Sequence, residues 1–165
     1  MMQTRSHAVE STPPDCFCLE ELQAFQSFET QVLADVNYYF WLHSTRADAA
    51  SDRFLYAIEL IFEQQGALLL SSGEDSTAIR IISAETLIQT ARNLQTLHGQ
   101  VSVQRANASS LPIWATAVAQ SLHAIRLSRN EDGLYFNDAL VLDFGTPQIL
   151  LRLSPRDGLE ITPFR

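Results

Sequence analysis

Two stretches of the chain lie over one another without a gap. Residues 54 to 80 match 136 to 162 at a shift of 82, with nine identities in 27 positions: Phe54/Phe136, Ala57/Ala139, Leu60/Leu142, Phe62/Phe144, Leu68/Leu150, Leu69/Leu151, Ser72/Ser154, Asp75/Asp157 and Ile79/Ile161. Average residue usage gives about two identities, and about four once the choice of shift and the shared strand composition are allowed for. Upstream, Gln31, Leu33 and Val36 fall on Gln120, Leu122 and Ile125 at a shift of 89, and Phe25 meets Trp114. Self-similarity at a fixed period predicts two copies of one supersecondary unit around a shared core.

The unit is a strand meander. Val36, Tyr38, Phe40 and Leu42 alternate with Asn37, Tyr39, Trp41 and His43, an aromatic and β-branched pattern of period two. The stretches 54–62, 67–70 and 77–82 continue as strands, broken by Gln64-Gln65-Gly66 and by the polar run 71–76. In the second copy, strands are expected within 123–129, 134–144, 148–154 and 159–162, with turns at 130–133, 145–147 and 155–158. Ile58, Leu60 and Phe62 face one way and Glu59 and Ile61 the other; Leu140, Leu142 and Phe144 are set against Val141 and Asp143 in the same manner.

Three helices are expected. Leu19, Leu22 and Phe25, with Glu20 and Glu21 in the first turn, predict a short amphipathic helix. Ser83 as N-cap, apolar residues from Ala84 to Leu97 at helical spacing and Gly99 at the end predict a clear helix over 84–98 that bridges the copies. Pro112 suits the first turn of another short helix, and 101–105 reads as a short strand. The fold class is therefore α+β with predominantly antiparallel strands, two repeated meander units forming a sandwich, a partly closed barrel or one wide sheet. Residues 1–15 read as a disordered arm and 16–165 as a single domain, its duplication spanning about 25–82 and 114–162.

Of the chain's 165 residues, 19 are acidic and 11 basic, a formal charge of −8, so most of its surface repels phosphate backbones and anionic lipid. Nucleic acid and membrane are not expected partners; a basic protein or a second copy in a homo-oligomer is. The first fifteen residues carry no apolar leader, and nothing approaches the ~18 uninterrupted apolar residues of a membrane span, so the expected location is the cytoplasm.

No motif carries chemistry outright. Cys16 and Cys18 are one residue apart, which excludes a disulfide framework, and with His7 they make a poor zinc set, so ordinary thiols are expected. Glu59, Glu63 and Asp143 fall on outward strand positions, where solvated carboxylates are far commoner than a paired acid–base site. His43, His98 and His123 stand singly, and His98 is explained by the end of a helix. The loop 71–76 lacks the alternating ligands of a calcium site and reads as a hairpin turn, its Asp75 matched by Asp157.

No phosphate loop or nucleophile elbow is present, and no cofactor is expected. The residues that stand out as a binding surface or pocket are Tyr39, Trp41, His43, Glu59, His123 and Asp143. The leading expectation is a non-enzymatic protein-binding module of inhibitor or immunity type. The alternative is a small-molecule-binding domain or small enzyme with its pocket between the halves.

Overall fold

The computed structural model describes residues 12–43, 53–73, 76–97, 99 and 101–165. The expectations for 1–11, for the loop 44–52, for Glu74 and Asp75, for His98 and for the side chain of His43 lie outside the described residues.

Helix α1 (Leu19–Phe28) starts where Glu21 turns back to accept the Cys18 amide at 3.0 Å, and it buries Phe25 and Phe28 while Leu19 stays exposed. Strand β1 (Leu33–His43) pairs antiparallel with β2 (Arg53–Phe62), Val36 opposite Leu60. Strands β3 (Gly66–Ser71) and β4 (Arg80–Ile81) complete the first meander. Helix α2 (Ala84–Leu97) begins with the Ser83 hydroxyl accepting the Thr86 amide at 3.1 Å and leads into β5 (Val101–Asn107), which lies antiparallel on the outer margin of β1. The short α3 (Pro112–Ala115), with Pro112 in its first turn, precedes β6 (Ala124–Arg126), β7 (Ala139–Asp143), β8 (Gln148–Ser154) and β9 (Gly158–Pro163), a second antiparallel meander.

All nine strands belong to one sheet, in the order β4-β3-β2-β9-β8-β7-β6, with β1 along the other margin of β2 and β5 outside β1. The pairing of β2 with β9 is parallel, through Leu55 and Gly158, so the sheet is mixed. Of the three arrangements left open by the sequence, the strands adopt a single curled sheet shaped as a half-barrel. The curl brings its margins together, because the Ile79 amide just before β4 donates to the Asn137 carbonyl just before β7 at 2.8 Å. Across the other seam the Leu55 amide donates to the Asp157 carbonyl at 2.8 Å, and Asn137 is the counterpart of Leu55 at the shift of 82.

A second pair of bonds exchanges under the shift of 89: Leu33 N–H donates to the Gln120 carbonyl at 3.0 Å, and Leu122 N–H to the Gln31 carbonyl at 2.8 Å. The pair Val36–Leu60 becomes Ile125–Leu142, again as the two shifts require. The match fails one strand later. Phe62 pairs with Gly66, leaving residues 63–65 between them, whereas Asp143 pairs with Gln148, leaving 144–147. One more connecting residue slips the parity of β8, so Ile149 and Leu151 enter the core as Leu68 and Leu70 do, while Leu69 faces outward. Leu68/Leu150 and Leu69/Leu151, identities in an ungapped comparison, are therefore not equivalent in space.

Three expected strands are shorter than the sequence suggested, and of 123–129 only Ala124–Arg126 forms β6. In the stretch 134–144 only β7 is regular, because Tyr135 and Phe136 instead make isolated bridges to Arg129 and Cys16. In 77–82 the regular strand is Arg80 and Ile81, the Ile82 amide adds a bond to the Leu69 carbonyl at 3.0 Å, and the Ile79 amide serves the seam. Residues 14 and 15 lie against the same seam, where Asn137 donates through Nδ2 to the Pro14 carbonyl at 2.9 Å and through its amide to the Asp15 carbonyl at 3.0 Å.

The concave face holds the main core, in which Phe17, Phe25, Ile58, Leu60, Leu140, Leu142 and Trp114 are buried. Trp114, fully buried, donates from Nε1 to the Tyr38 hydroxyl at 2.6 Å and so fastens the four-residue α3 to β1. A helix this short has no stability of its own, and the indole supplies its attachment. On the convex face α2 covers a smaller cluster, Leu87 meeting Tyr56, Ala57 and Leu69, with Tyr39, Trp41 and Phe54 packed beside it.

Candidate functional site

The six residues singled out by sequence fall into two groups. Tyr39, Trp41 and Glu59 lie on the convex face of the first half, and His43 ends β1 on the same strand. His123 and Asp143 belong to the second half. No described cleft joins the groups.

On the convex face, cross-strand register sets Asn107, Asn37 and Glu59 in one row across β5, β1 and β2. Asn37, almost fully buried, donates to Glu59 Oε1 at 3.0 Å, and Asn107 donates to Asn37 Oδ1 at 3.1 Å and to Asp35 Oδ1 at 2.8 Å. Tyr39 donates to Glu59 at 3.2 Å, Arg105 stands 3.9 Å from the same carboxylate, and Ser109 donates to Asp35. The Ser109 and Asn107 bonds hold the Asp35 carboxyl below the usual range, while burial, helped by Glu59, pushes the Tyr39 phenol up. Glu59 is thus an acceptor inside a structural network. Trp41 is sandwiched between Phe54 and Tyr56, with centroids 5.0 and 4.6 Å away, and serves packing.

In the second half Arg126 donates to Asp143 through both Nε, at 3.0 Å, and Nη2, and the Gly145 amide donates at 2.7 Å. Burial pushes the Asp143 carboxyl up, but the Arg126 hydrogen bonds, the Gly145 amide and the charges of Arg126 and His123 outweigh it, and the net displacement is downward. A group depressed in the folded state contributes stability that is present above its unfolded pKa and is lost as pH falls through its folded value. Asp143 and Asp35 share this sign. The melting temperature should therefore hold from neutral pH to about 5 and fall below about 4, the ordinary carboxylate range. Asp143→Asn should melt lower at pH 7 and lose part of the acid dependence; an unchanged acid limb would contradict the assignment.

Where the two halves meet, Tyr38, Phe40, Arg53, Leu55, Asp157, Leu159 and Ile161 line an open cleft of about 330 Å³. The Arg53 guanidinium sits 4.4 Å from the centre of the Phe40 ring. The cleft lies between β1–β2 and β9, and none of the six expected residues lines it. Among the described residues no group of His, Cys, Asp and Glu could hold a metal, and no described helix is long and apolar enough to cross a membrane.

The margins of the sheet differ in how they are finished. That of β4 is short and tied to Asn137, and Arg80 beside it donates to the Pro14 and Cys16 carbonyls and pairs with Glu21 at 2.9 Å. That of β6 is three residues long, and Glu29, the C-cap that follows α1, accepts the Ile125 amide at 3.2 Å. Strand β5 is seven residues long, without proline or bulge, and among the described residues pairs only with β1. The Ala108 amide bonds the Val36 carbonyl at 2.8 Å, in line with the β1–β5 register, which fixes the parity of the ladder. Ser102, Gln104 and Ala106 turn their backbone groups to β1, whereas Val101, Val103, Arg105 and Asn107 turn theirs outward, where no described backbone meets them. Sequence reading gave 101–105 only as a short strand, and its place at a margin is set by long-range pairing that no local pattern carries. The chain matches no protein-family model, no curated protein and no solved structure.

Proposed function

We propose that this chain is a non-enzymatic, cytoplasmic protein-binding module that takes an extended segment of a partner onto the β5 margin of its sheet. The observation that carries the reading is the contrast between margins: two are short and capped, and the third is long, regular and, among the described residues, without a backbone partner on its outer side. Natural sheets blunt exposed margins because unpaired N–H and C=O groups recruit another strand, and a margin left open is suited to strand addition. Of the three carboxylates on outward strand positions, Glu59 is engaged by Asn37 and Tyr39 and Asp143 by Arg126, while Glu63 is exposed.

The same reading treats the halves as diverged copies of one unit. The exchanging bonds Leu33–Gln120 and Leu122–Gln31 support it. The copies differ most at their first strand: β1 has eleven residues and carries β5, whereas β6 has three and is capped by Glu29.

Val103→Pro tests the function. Its amide points outward, so proline removes no bond to β1, and edge strands tolerate it. With the tagged chain as bait in host extract, and captured chains identified by mass spectrometry with untagged copies of this chain included, the wild type should retain a partner that the variant loses about tenfold or more. Far-ultraviolet circular dichroism should be unchanged. Equal capture by both chains would contradict strand addition.

The seam cleft favours a second reading, a small-molecule site walled by Phe40, Leu55 and Ile161 with Arg53 at its side. Native mass spectrometry of the purified chain separates the two, since a retained small molecule adds mass that strand addition does not.

A further inference from the structure

We infer that the segment taken up by β5 is the β5 strand of a second copy of the chain, paired antiparallel about a two-fold axis through Gln104. The inference rests on the strand-addition reading and adds the identity and register of the occupant.

Three features of the strand carry it. First, the outward backbone groups belong to odd-numbered residues, so a self-paired antiparallel ladder must oppose odd to odd. That leaves few symmetric registers, centred on Val103, Gln104 or Arg105. Second, the register centred on Gln104 uses the whole strand, opposing Val103 to Arg105 of the second copy and Val101 to Asn107 of the second copy, with the two symmetry mates. Centring on Val103 or Arg105 shortens the ladder at one end. Third, Arg105 is the only charged residue from Val101 to Asn107. A centre at Arg105 sets two guanidinium groups directly opposite, which is destabilising, whereas a centre at Gln104 lays each arginine stem over a valine.

Length and charge thus select the same register. Val103 and Arg105 stand opposite Trp41 and Tyr39 of β1, so their side chains share the convex face. The added strand would extend the row Tyr39–Arg105 into Val103 and Trp41 of the second copy, making one continuous sheet through the pair. Such an isologous contact closes on itself and leaves no open margin at β5 to propagate.

Each chain carries a formal charge of −8, so the copies repel at long range. The repulsion is screened beyond ~10 Å at 0.1 M salt, and association should therefore strengthen as salt is raised from low concentration.

Sedimentation velocity of the purified full chain, from micromolar to near-millimolar concentration, tests the inference. The wild type should pass from 18.5 kDa toward twice that mass, more readily at 0.1 M salt than at low salt, and Val103→Pro should remain at 18.5 kDa with an unchanged circular dichroism spectrum. Gln104→Cys marks the register, because residues on the axis face their own mates and should cross-link under mild oxidation faster than Ser102→Cys. A wild type that stays at 18.5 kDa throughout overturns self-pairing. If Val103→Pro still abolishes capture from extract, strand addition survives with another occupant. A dimer indifferent to Val103→Pro, or one that cross-links faster at Ser102→Cys, also overturns the inference, and indifference in both assays removes strand addition with it.

Discussion

Gly158→Ala is expected to cost on the order of 3 kcal/mol or more and to open the parallel seam of the sheet. Gly158 has a φ of +85°, in the left-handed region, and a Cβ built on it would lie 2.2 Å from the carbonyl oxygen and 2.8 Å from the carbonyl carbon of Leu55. Left-handed geometry alone costs an L-residue about 1–2 kcal/mol. The obstacle here is backbone, which cannot rotate aside as a flexible side chain would. The only described register pair of β2 with β9 is Leu55–Gly158, so moving either strand separates the two meanders where they are joined. Urea unfolding at neutral pH measures the loss. A change below about 1 kcal/mol would mean that the seam is looser than described.

Trp114→Ala is the second large effect, about 3–5 kcal/mol, the usual range for truncating a buried tryptophan. The indole is fully buried and holds Tyr38 at 2.6 Å, so truncation leaves both a cavity and a phenol short of a partner. Trp114→Phe and Tyr38→Phe separate these contributions. Each alone strands a buried polar group at a cost of about 1–3 kcal/mol, and the double variant should recover part of the sum. Strict additivity in chemical unfolding would deny that the hydrogen bond couples α3 to β1.

Much of this fold was legible because its signals are local or pairwise periodic. Ser83 and Gly99 bracket α2, Phe25 and Trp114 both proved to be buried anchors, and the alternation of Ile58, Leu60 and Phe62 against Glu59 and Ile61 gave the correct faces. The two shifts relate the pair Val36–Leu60 to the pair Ile125–Leu142, although neither register is carried by the sequence itself. The slip of β8 was hidden because one added connecting residue is offset by a strand that ends one residue sooner, leaving the ungapped comparison intact. The parallel contact of β2 with β9 was hidden for another reason: Gly158 reads as a turn residue, and only the curl of the sheet carries that turn to Leu55.

The site was less legible. Tyr39, Trp41 and Glu59 were found through their outward positions, but Asn37, Asn107 and Arg105, which occupy Glu59 and its row, become meaningful only once β5 lies beside β1. Asp143 needed Arg126, seventeen residues away and across a strand pair. The place of β5 at a margin of the described sheet is a property of what surrounds a strand, and a strand's own residues do not encode it.

Amide hydrogen exchange along β5 tests the central claim most directly. In the dilute chain, Val103 and Arg105 should exchange near the rate of free peptide while Gln104 and Ala106, bonded to β1, are protected. On concentration, protection should spread to Val103 and Arg105. If those two amides are already protected in the dilute chain, or if protection fails to alternate along the strand, the β5 margin is not open and the account of this protein as a strand-accepting module is wrong.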